Sequence, residues 1–156
     1  MKPKPSMDSV DLAILRLLQS NAKISVDEIG EKVGLSHTPV WRRIDKLQKA
    51  GVIQGTRTQL NRAAFDLGLT VFLSLKLNRH DEKSVLQFED AVRLVPEVLE
   101  CHSMSGGWDY LLKVLIESVE SYETFLKRKI LNLPYVSDLL SNIALREVSR
   151  NEGLPI

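Results

Sequence analysis

Apolar side chains recur at helical spacing in two short runs near the start of the chain. The first run places them three or four positions apart, at Val10, Ile14, Leu17 and Leu18. Asp8 or Ser9 can cap this helix. A second helix begins after Ser25, because Glu28 follows three residues later and each side chain can bond the other's free backbone amide. We expect this second helix to stop at Gly34.

A third helix begins near Ser36 and ends at Gly51. Its apolar residues share one face, at Val40, Ile44 and Leu47. The segment 52–60 that follows is rich in β-branched residues and interrupted by a glycine, which suggests a short extended segment or wing. Residues 61–68 predict a brief helical turn that closes on a glycine, and we place the junction between two domains there.

From Leu69 to Asn78 the hydrophobic pattern changes to a two-residue period, which predicts a strand. The pattern then predicts a helix from Val85 that Pro96 ends, strands at 98–104 and 110–116, a helix from Tyr122 that Pro134 ends, and a strand at 139–148. The order βαββαβ is the ferredoxin-like plan. The predicted fold class is α+β, with an N-terminal winged helix-turn-helix domain (1–60), a linker (61–68) and a C-terminal ferredoxin-like domain (69–156).

The third helix has the surface that a DNA-recognition helix needs. Successive residues of a helix are about 100° apart. Arg42, Lys46 and Lys49 therefore cluster opposite the apolar face, and Arg43 lies on the flank, where it suits a phosphate. The free amides of the first turn can also hold a phosphate oxygen, at Ser36, His37 and Thr38.

Two further residues complete the candidate DNA-binding set. Trp41 can pack between the third helix and the wing, or it can touch sugar or thymine methyl groups. Arg57 lies in the wing itself. The alternative is that these charged residues only form the solvent-exposed face of an amphipathic helix and bind no DNA. The compact three-helix context and the short turn before Leu35 favour DNA binding.

Charge is divided unevenly along the 156 residues. Residues 1–62 carry eleven Lys and Arg against six Asp and Glu, a net charge of +5, whereas residues 63–156 carry ten against fourteen, a net charge of −4. The basic half is the natural place for a polyanion. No run approaches about 18 consecutive apolar residues, and the first five residues lack the apolar stretch of a secretory signal. We therefore expect a soluble, cytoplasmic protein with no membrane partner.

The single cysteine limits the chemistry of the chain. Cys101 cannot form an internal disulfide or supply a thiolate metal cluster. His102 is adjacent, but neighbouring residues of a strand point to opposite faces and do not easily chelate one ion. His102 with Asp109 and nearby serines forms no convincing hydrolase triad, because no nucleophile elbow accompanies them. We predict no metal, no cofactor and no catalytic residues.

From Asp8 to about Val148 the chain resembles the leucine-responsive/asparagine (Lrp/AsnC) family of bacterial and archaeal transcription regulators. The most specific segment runs Ser105-Gly106-Gly107-Trp108-Asp109-Tyr110-Leu111-Leu112-Lys113. The other matching segments are Asp11 to Leu15, Val33 to Ser36, Arg43 to Leu47, Gly51 to Gly55, Glu100 to His102, Pro134 to Val136 and Glu147-Val148. Each segment alone is weak, but their order and spacing together are strong.

The resemblance implies a small-molecule-binding C-terminal domain, dimers that associate into tetramers or octamers, and an effector that is usually an amino acid. In that family the effector lies between dimers against one turn, which corresponds here to Met104, Ser105, Gly106, Gly107, Trp108, Asp109 and Tyr110. A glycine turn exposes backbone amides to a carboxylate, while Asp109 can hold an ammonium. The chain departs from the family at Gly107, where an acidic residue is common, so the effector's identity stays open.

The predicted function is therefore that of a sequence-specific transcriptional regulator that binds double-stranded DNA as a homo-oligomer, senses an amino acid and is not an enzyme. Two alternatives remain open. An architectural protein that wraps DNA shares the same residues but predicts small specificity ratios. An enzyme similar to sirohaem decarboxylases should lose the cationic helix face and gain His and Arg groups around a large cavity. Ile143 and Ala144 can line the effector interface, but we predict that they pack in the core.

Overall fold

The computed structural model describes residues 5–151 and 153–156, so residues 1–4 and Glu152, which the predicted domains include, lie outside the described residues. The chain forms two compact units. One consists of Met1–Gln59 together with Ser149–Ile156, and the other of Leu60–Val148. The last eight residues thus group with the N-terminal unit, whereas the sequence placed them in the C-terminal domain.

The first unit contains three helices, α1 (Ser9–Ser20), α2 (Val26–Val33) and α3 (His37–Lys49). Asp8 caps α1 and Ser25 caps α2, each in a reciprocal capping box, and Gly34 ends α2 in the left-handed conformation with φ 70°. One fully buried side chain from each helix forms the core of the unit, Ile14, Ile29 and Val40. The three predicted helices and the predicted caps of α1 and α2 are confirmed.

Gly30 allows α2 to approach the turn that leads into α3. The Leu35 amide donates to the Gly30 carbonyl at 3.0 Å, and a Cβ built at Gly30 would overlap the Leu35 carbonyl oxygen. Only glycine leaves room for this contact. A glycine inside an otherwise helical pattern was the available sequence signal, and we did not use it.

The second unit carries a four-stranded sheet and two helices. Its strands are β1 (Leu69–Leu77), β2 (Val98–Ser103), β3 (Tyr110–Ile116) and β4 (Val136–Ile143), and its helices are α4 (Glu82–Arg93) and α5 (Val119–Arg128). The spatial order is β2-β3-β1-β4, and every pair is antiparallel. This is the predicted ferredoxin-like arrangement.

The helices cover one face of the sheet. Alternate residues of β1, from Val71 to Leu77, are buried against Phe88 of α4 and Phe125 of α5. The intervening residues point to the opposite face, where Phe72 pairs with Lys113 of β3 and Asn142 of β4. A period of two therefore predicted both the strand and its buried face correctly.

Several predicted boundaries were wrong. The final strand ends at Ile143 rather than Val148. Ala144 N–H still donates to the Thr70 carbonyl at 2.9 Å, but β1 begins at Leu69, so its register reaches no residue beyond Leu145, which is 98% exposed. Ile143, whose predicted core role is also wrong, is exposed at the strand end. The segment 52–60 pairs with no strand among the described residues, so the expected wing is irregular chain.

The predicted turn before β1 is a single 3-10 turn, Arg62–Phe65. Asp66, not Gly68, takes the left-handed conformation that closes it, with φ 57°. Asp tolerates this conformation better than most residues because its short polar side chain bonds locally. The position of the turn was predicted correctly and its closing residue was not.

Residues 153–156, near the C-terminus, lie along α1. The side-chain amide of Gln19 bonds both backbone groups of Leu154, accepting from its N–H and donating to its carbonyl, each at 2.9 Å. Arg16 Nε donates to the carbonyl of Ile156 at 2.8 Å. A Cβ at Gly153 would press on the Gln19 side chain. These contacts explain why the segment groups with the N-terminal unit, and nothing in its own sequence pattern indicated them.

Candidate nucleic-acid interface and effector turn

The buried face of α3 determines which of its side chains reach solvent. Val40 and Leu47 are buried, and Ile44 packs against the core formed by α1 and α2. Arg42 and Lys46 project from the opposite face and are exposed. Lys49 is also exposed, although its ammonium pairs with Asp45 at 2.7 Å one turn earlier in the helix. The predicted separation of an apolar and a cationic face is confirmed.

The N-terminus of α3 is not capped by a side chain. Ser36 occupies the N-cap position with extended backbone, but its hydroxyl makes no capping hydrogen bond. Ser36, His37 and Thr38 are all exposed. Each of the other four α-helices in the part of the chain that the structure describes has a side chain that accepts a first-turn amide. The open N-terminus of α3 therefore presents free amide donors beside the cationic face.

Arg43 does not share the exposed face of α3 with Arg42 and Lys46, because its side chain is bound to α1. Its Nη1 donates to Asp8 Oδ2 at 2.7 Å and to Asp11 Oδ1 at 2.6 Å, so the side chain points back to the start of α1. Only 3% of Asp11 is exposed. The carboxylates of Asp11 and Asp8 raise the pKa of Arg43, and the Asp11 amide followed by Arg43 lowers the pKa of Asp8. We predicted a flank position suited to phosphate and missed this ion pair.

Trp41 and Arg57 complete the candidate DNA-binding residues. Trp41 is 53% exposed, so more than half of the side chain lies in solvent. Arg57 is exposed in the irregular segment after α3. Both side chains are accessible to a partner in the described structure.

The turn between β2 and β3 is tied to the end of β1. Met104 N–H donates to the Asp109 carbonyl at 2.8 Å, and Asp109 N–H donates to the Leu75 carbonyl at 2.9 Å. The Leu77 amide donates to Asp109 Oδ2 at 2.7 Å, and His80 Nε2 lies 3.0 Å from the same oxygen. The Leu77 amide and then His80 lower the pKa of Asp109. Asp109 thus holds the turn in place with one of its two oxygens.

The glycines of the turn leave its outer surface open. Gly106 has φ 130°, which favours glycine, and a Cβ at Gly106 or Gly107 would meet nothing within 4 Å. Trp108 is the next residue of the turn, and the Lys76 ammonium lies 5.2 Å from the centre of its ring. Met104 is exposed. The turn therefore offers accessible backbone at its two glycines and an exposed apolar side chain at Met104.

Tyr110 belongs to the core of the unit. It is 5% exposed, and its ring centre lies 4.6 Å from that of Phe88. Its hydroxyl donates to Glu89 Oε1 at 3.0 Å, and burial together with Glu89 raises the pKa of Tyr110 to about 12. Ile143 and Ala144 lie by the other end of β1, since Ile143 pairs with Val71 while the turn bonds Leu75.

His102 takes part in a small polar network. Glu100 accepts from Lys113 at 2.8 Å, lies 3.2 Å from His102 Nε2, and has its pKa lowered by Lys113 first and His102 second. Within residues 5–151 and 153–156, no three His, Cys, Asp or Glu side chains are grouped as a metal site requires. The helices of this same part of the chain are too short or too polar to cross a membrane.

Comparison with known families accounts for both regions. A model of the AsnC-type helix-turn-helix domain matches residues 7–48, and a model of the Lrp/AsnC ligand binding domain matches residues 70–154. The chain belongs to the Lrp/AsnC family of transcription regulators. It is a DNA-binding regulator. The helix-turn-helix match covers α1, α2 and α3 except for Lys49, and the ligand-binding match includes the turn at 104–109.

Individual relatives are similar over nearly the full length. The leucine-responsive regulatory protein of Escherichia coli K12 is 37% identical over 155 residues, covering 99% of this chain and 94% of that protein. An AsnC family regulator of Agrobacterium tumefaciens is 36% identical with a TM-score of 0.91. A transcriptional regulator of Neisseria meningitidis, solved as an L-Met complex, is 31% identical with the same TM-score. Both structures match 96% of this chain and 97% of their own.

Proposed function

We propose that this Lrp/AsnC regulator binds the major groove of double-stranded DNA through the exposed face of α3. The observation that carries the proposal is that Arg42 and Lys46 project from the side of the helix opposite buried Val40 and Leu47. A major groove admits one helix with phosphates on both sides, so this face combines base-edge and phosphate donors. Lys49 extends the same face.

The uncapped start of α3 provides a second contact. The backbone amides near Ser36, His37 and Thr38 bind one phosphate, because they lack a side-chain acceptor and lie at the positive end of the helix dipole. Exposed Trp41 touches sugar or thymine methyl groups, which its solvent exposure favours over packing. Arg57 contacts the backbone from the irregular segment.

Salt dependence tests this interface. The probe is the tightest duplex that the wild-type protein recovers from a random-sequence pool, compared with a scrambled duplex of equal length. Arg42→Ala should weaken binding to the selected duplex more than to the scrambled one, and Lys46→Ala should reduce the slope of log affinity against log salt by about 1. Lys83→Ala, at an exposed lysine on α4, should change neither quantity. An affinity that barely falls with salt would contradict the proposal. Equal affinity for both duplexes would point instead to an architectural role.

We further propose that the turn at 104–109 binds a free amino acid. The backbone amides around Gly106 and Gly107 hold its carboxylate, and Asp109 holds its ammonium with Oδ1, the oxygen that neither Leu77 nor His80 uses. Met104 and Trp108 contact its side chain. Tyr110 supports the turn from the core. The L-Met complex of the Neisseria relative makes L-Met the first ligand to test.

Thermal shift with each of the twenty amino acids tests the effector proposal, because a ligand that binds only the folded protein raises its melting temperature. Asp109→Asn is the informative variant, since its side-chain oxygen can still accept from Leu77 while its charge is lost. It should abolish the shift and leave DNA affinity unchanged. Asp90→Asn, at an exposed aspartate of α4 whose carboxylate pairs with Arg93 of the same helix, is the matched control. An unchanged ligand affinity in calorimetry would remove Asp109 from the site.

The protein works as a homo-oligomer in this proposal, with dimers that assemble into tetramers or octamers. The sheet face opposite α4 and α5 leaves Phe72 and Leu140 exposed, and a second copy covers them. Linked recognition helices convert weak single contacts into tight binding. Leu140→Asp should reduce the mass measured by analytical ultracentrifugation. Leu94→Asp, at the exposed end of α4, should not.

The chain acts by binding and catalyses no reaction, and it does so in the cytoplasm, where bacterial and archaeal DNA lies. The family supports both statements, because its members regulate transcription. Cell fractionation checks the location. Any turnover of a tetrapyrrole substrate by the purified protein would contradict the first statement.

A further inference from the structure

Arg43 closes a network that joins α3 to the start of α1. In the capping box, Asp11 N–H donates to Asp8 Oδ1 at 2.8 Å and Asp8 N–H donates to Asp11 Oδ2 at 3.2 Å. The remaining oxygen of each carboxylate accepts from Arg43 Nη1. All four carboxylate oxygens therefore have partners. We call this network of Asp8, Asp11 and Arg43 the Arg43 clamp.

We propose that Arg43 is a positioning residue for the recognition helix, and not a phosphate ligand. The proposal rests on the DNA-binding role of α3 set out above. Apolar contacts hold α3 against α1 and α2, but such contacts have little directionality. A charged hydrogen bond has a preferred direction. The clamp acts at the middle of α3 and so fixes the rotation of the helix about its own axis.

This rotation matters to DNA because Arg42 is the next residue along the helix. A group about 6 Å from the helix axis moves by about 2 Å when the helix rotates by about 20°. A shift of that size breaks hydrogen bonds to base edges, which require donor to acceptor distances near 3 Å. Contacts with phosphates through flexible lysines tolerate it better. Loss of the clamp should therefore reduce discrimination between sequences more than it reduces general affinity.

The burial of Asp11 indicates the same role. A carboxylate that is 3% exposed must be paired, and Arg43 is the cation that pairs it. The electrostatic consequences are opposite for the two possible roles of Arg43. If Arg43 only contributed charge, removing the Asp11 carboxylate would free it and strengthen binding to every duplex. If Arg43 positions α3, the same change weakens binding to the selected duplex.

The experiment measures the affinity of the full-length protein for the selected and scrambled duplexes over a range of salt, well below each variant's melting temperature. Arg43→Ala should keep the wild-type salt slope and lower the ratio of the two affinities, on the order of tenfold. Arg43→Lys, which keeps the charge without the planar fork, should lower the ratio less. Asp11→Asn should lower the ratio in the same direction. Asp27→Asn, an exposed carboxylate on α2, is the control and should leave it unchanged.

Asp8→Ser provides the test if Asp11→Asn does not fold, because serine still caps α1 but removes one of the two carboxylates that Arg43 contacts. It should lower the ratio as Arg43→Lys does. A fall in salt slope of about 1 for Arg43→Ala with an unchanged ratio would overturn the proposal, since Arg43 would then be a phosphate ligand. Stronger binding of Asp11→Asn or Asp8→Ser to both duplexes would also overturn it. If Arg42→Ala left both affinities unchanged and Lys46→Ala left the salt slope unchanged, the assignment of α3 to DNA would fail first, and the role of Arg43 with it.

Discussion

The N-termini of α1 and α3 lie in the same small unit and are built in opposite ways. At α1, Asp8 and Asp11 bond each other's amides and accept from Arg43. At α3, the hydroxyl of Ser36 makes no capping bond and the first turn is exposed. We call the capped N-terminus of α1 the closed start and the uncapped N-terminus of α3 the open start. The closed start holds α1 and α3 together, whereas the open start keeps amide donors available to a phosphate.

Arg42 and Arg43 repeat this contrast one residue apart. Arg42 is exposed on the face away from the core, and Arg43 is paired with two carboxylates of α1. The same residue type therefore serves recognition at one position and architecture at the next. What decides between the two roles is the direction in which the helix presents each side chain.

The largest expected effect comes from the contact that sets the turn before α3. Gly30→Ala should lower the free energy of unfolding by about 3 kcal/mol, because its Cβ meets the Leu35 carbonyl and backbone must move. Denaturant unfolding measures the loss. Gly34→Ala is the control: its Cβ enters open space, and only its left-handed backbone, with φ 70°, costs about 1 kcal/mol. Equal losses for the two variants would show that the close approach of α2 is unimportant.

The next effect compares the two helix starts directly. Asp11→Ala should lower the free energy of unfolding by about 2 kcal/mol, because the capping box opens and Arg43 loses its buried partner. Ser36→Ala should lower the free energy of unfolding by only about 0.3 kcal/mol, since no capping hydrogen bond is lost. Urea titration of both variants checks the difference. A comparable cost at Ser36 would mean that the start of α3 is capped in solution.

A smaller effect follows from closing the open start. Ser36→Asp should stabilise the protein by about 0.5 to 1 kcal/mol, because an aspartate can accept from the Thr38 amide and interacts favourably with the helix dipole. Pro39, at the next position, has no N–H to offer. The same change should weaken DNA binding, since the carboxylate occupies the Thr38 amide and repels phosphate. Thermal melts and anisotropy titrations measure the two opposite effects. Tighter DNA binding would exclude a phosphate from this helix start.

The smallest effect is the pH dependence of the closed start. The pKa of Asp8 lies below its ordinary value of 3.8, first because of the Asp11 amide and then because of Arg43. Its stabilising contribution is therefore complete above 3.8 and is lost as the pH falls through the lower, folded-state pKa. Asparagine keeps the cap without the charge. The difference in free energy of unfolding between the wild type and Asp8→Asn should thus narrow below pH 3.8 and stay constant above pH 6. A difference that did not change with pH would contradict the ion pair between Asp8 and Arg43.

Local patterns carried the prediction furthest where the interaction was local. The capping box of Ser25 and Glu28 joins residues three apart, and the strand at Leu69 needs only its own alternation. Where an element depends on a partner, the same reasoning was less reliable. Apolar residues up to Val148 continued the pattern of β4, but hydrogen bonding to β1 ends with Ile143 and Ala144.

Arg43 shows a signal that was present and went unused. It lies about 60° around the helix from Val40, nearer to the buried face than Arg42 is, and Asp11 follows Asp8 at capping-box spacing. Together these facts allow an ion pair between α3 and the start of α1. They do not require it, because the angle between two packed helices cannot be read from either one.

The sequence by itself determined the two-domain α+β plan, the helices, three of the four strands to within a residue or so, the cationic face of α3 and the family. Only the tertiary structure decided that Arg43 binds Asp8 and Asp11, that Asp109 holds the end of β1, and that residues 153–156 lie on α1. The physical reason is distance along the chain. Bonds within one helical turn follow from local backbone geometry, whereas partners 35 and 32 positions apart meet only when the core packs.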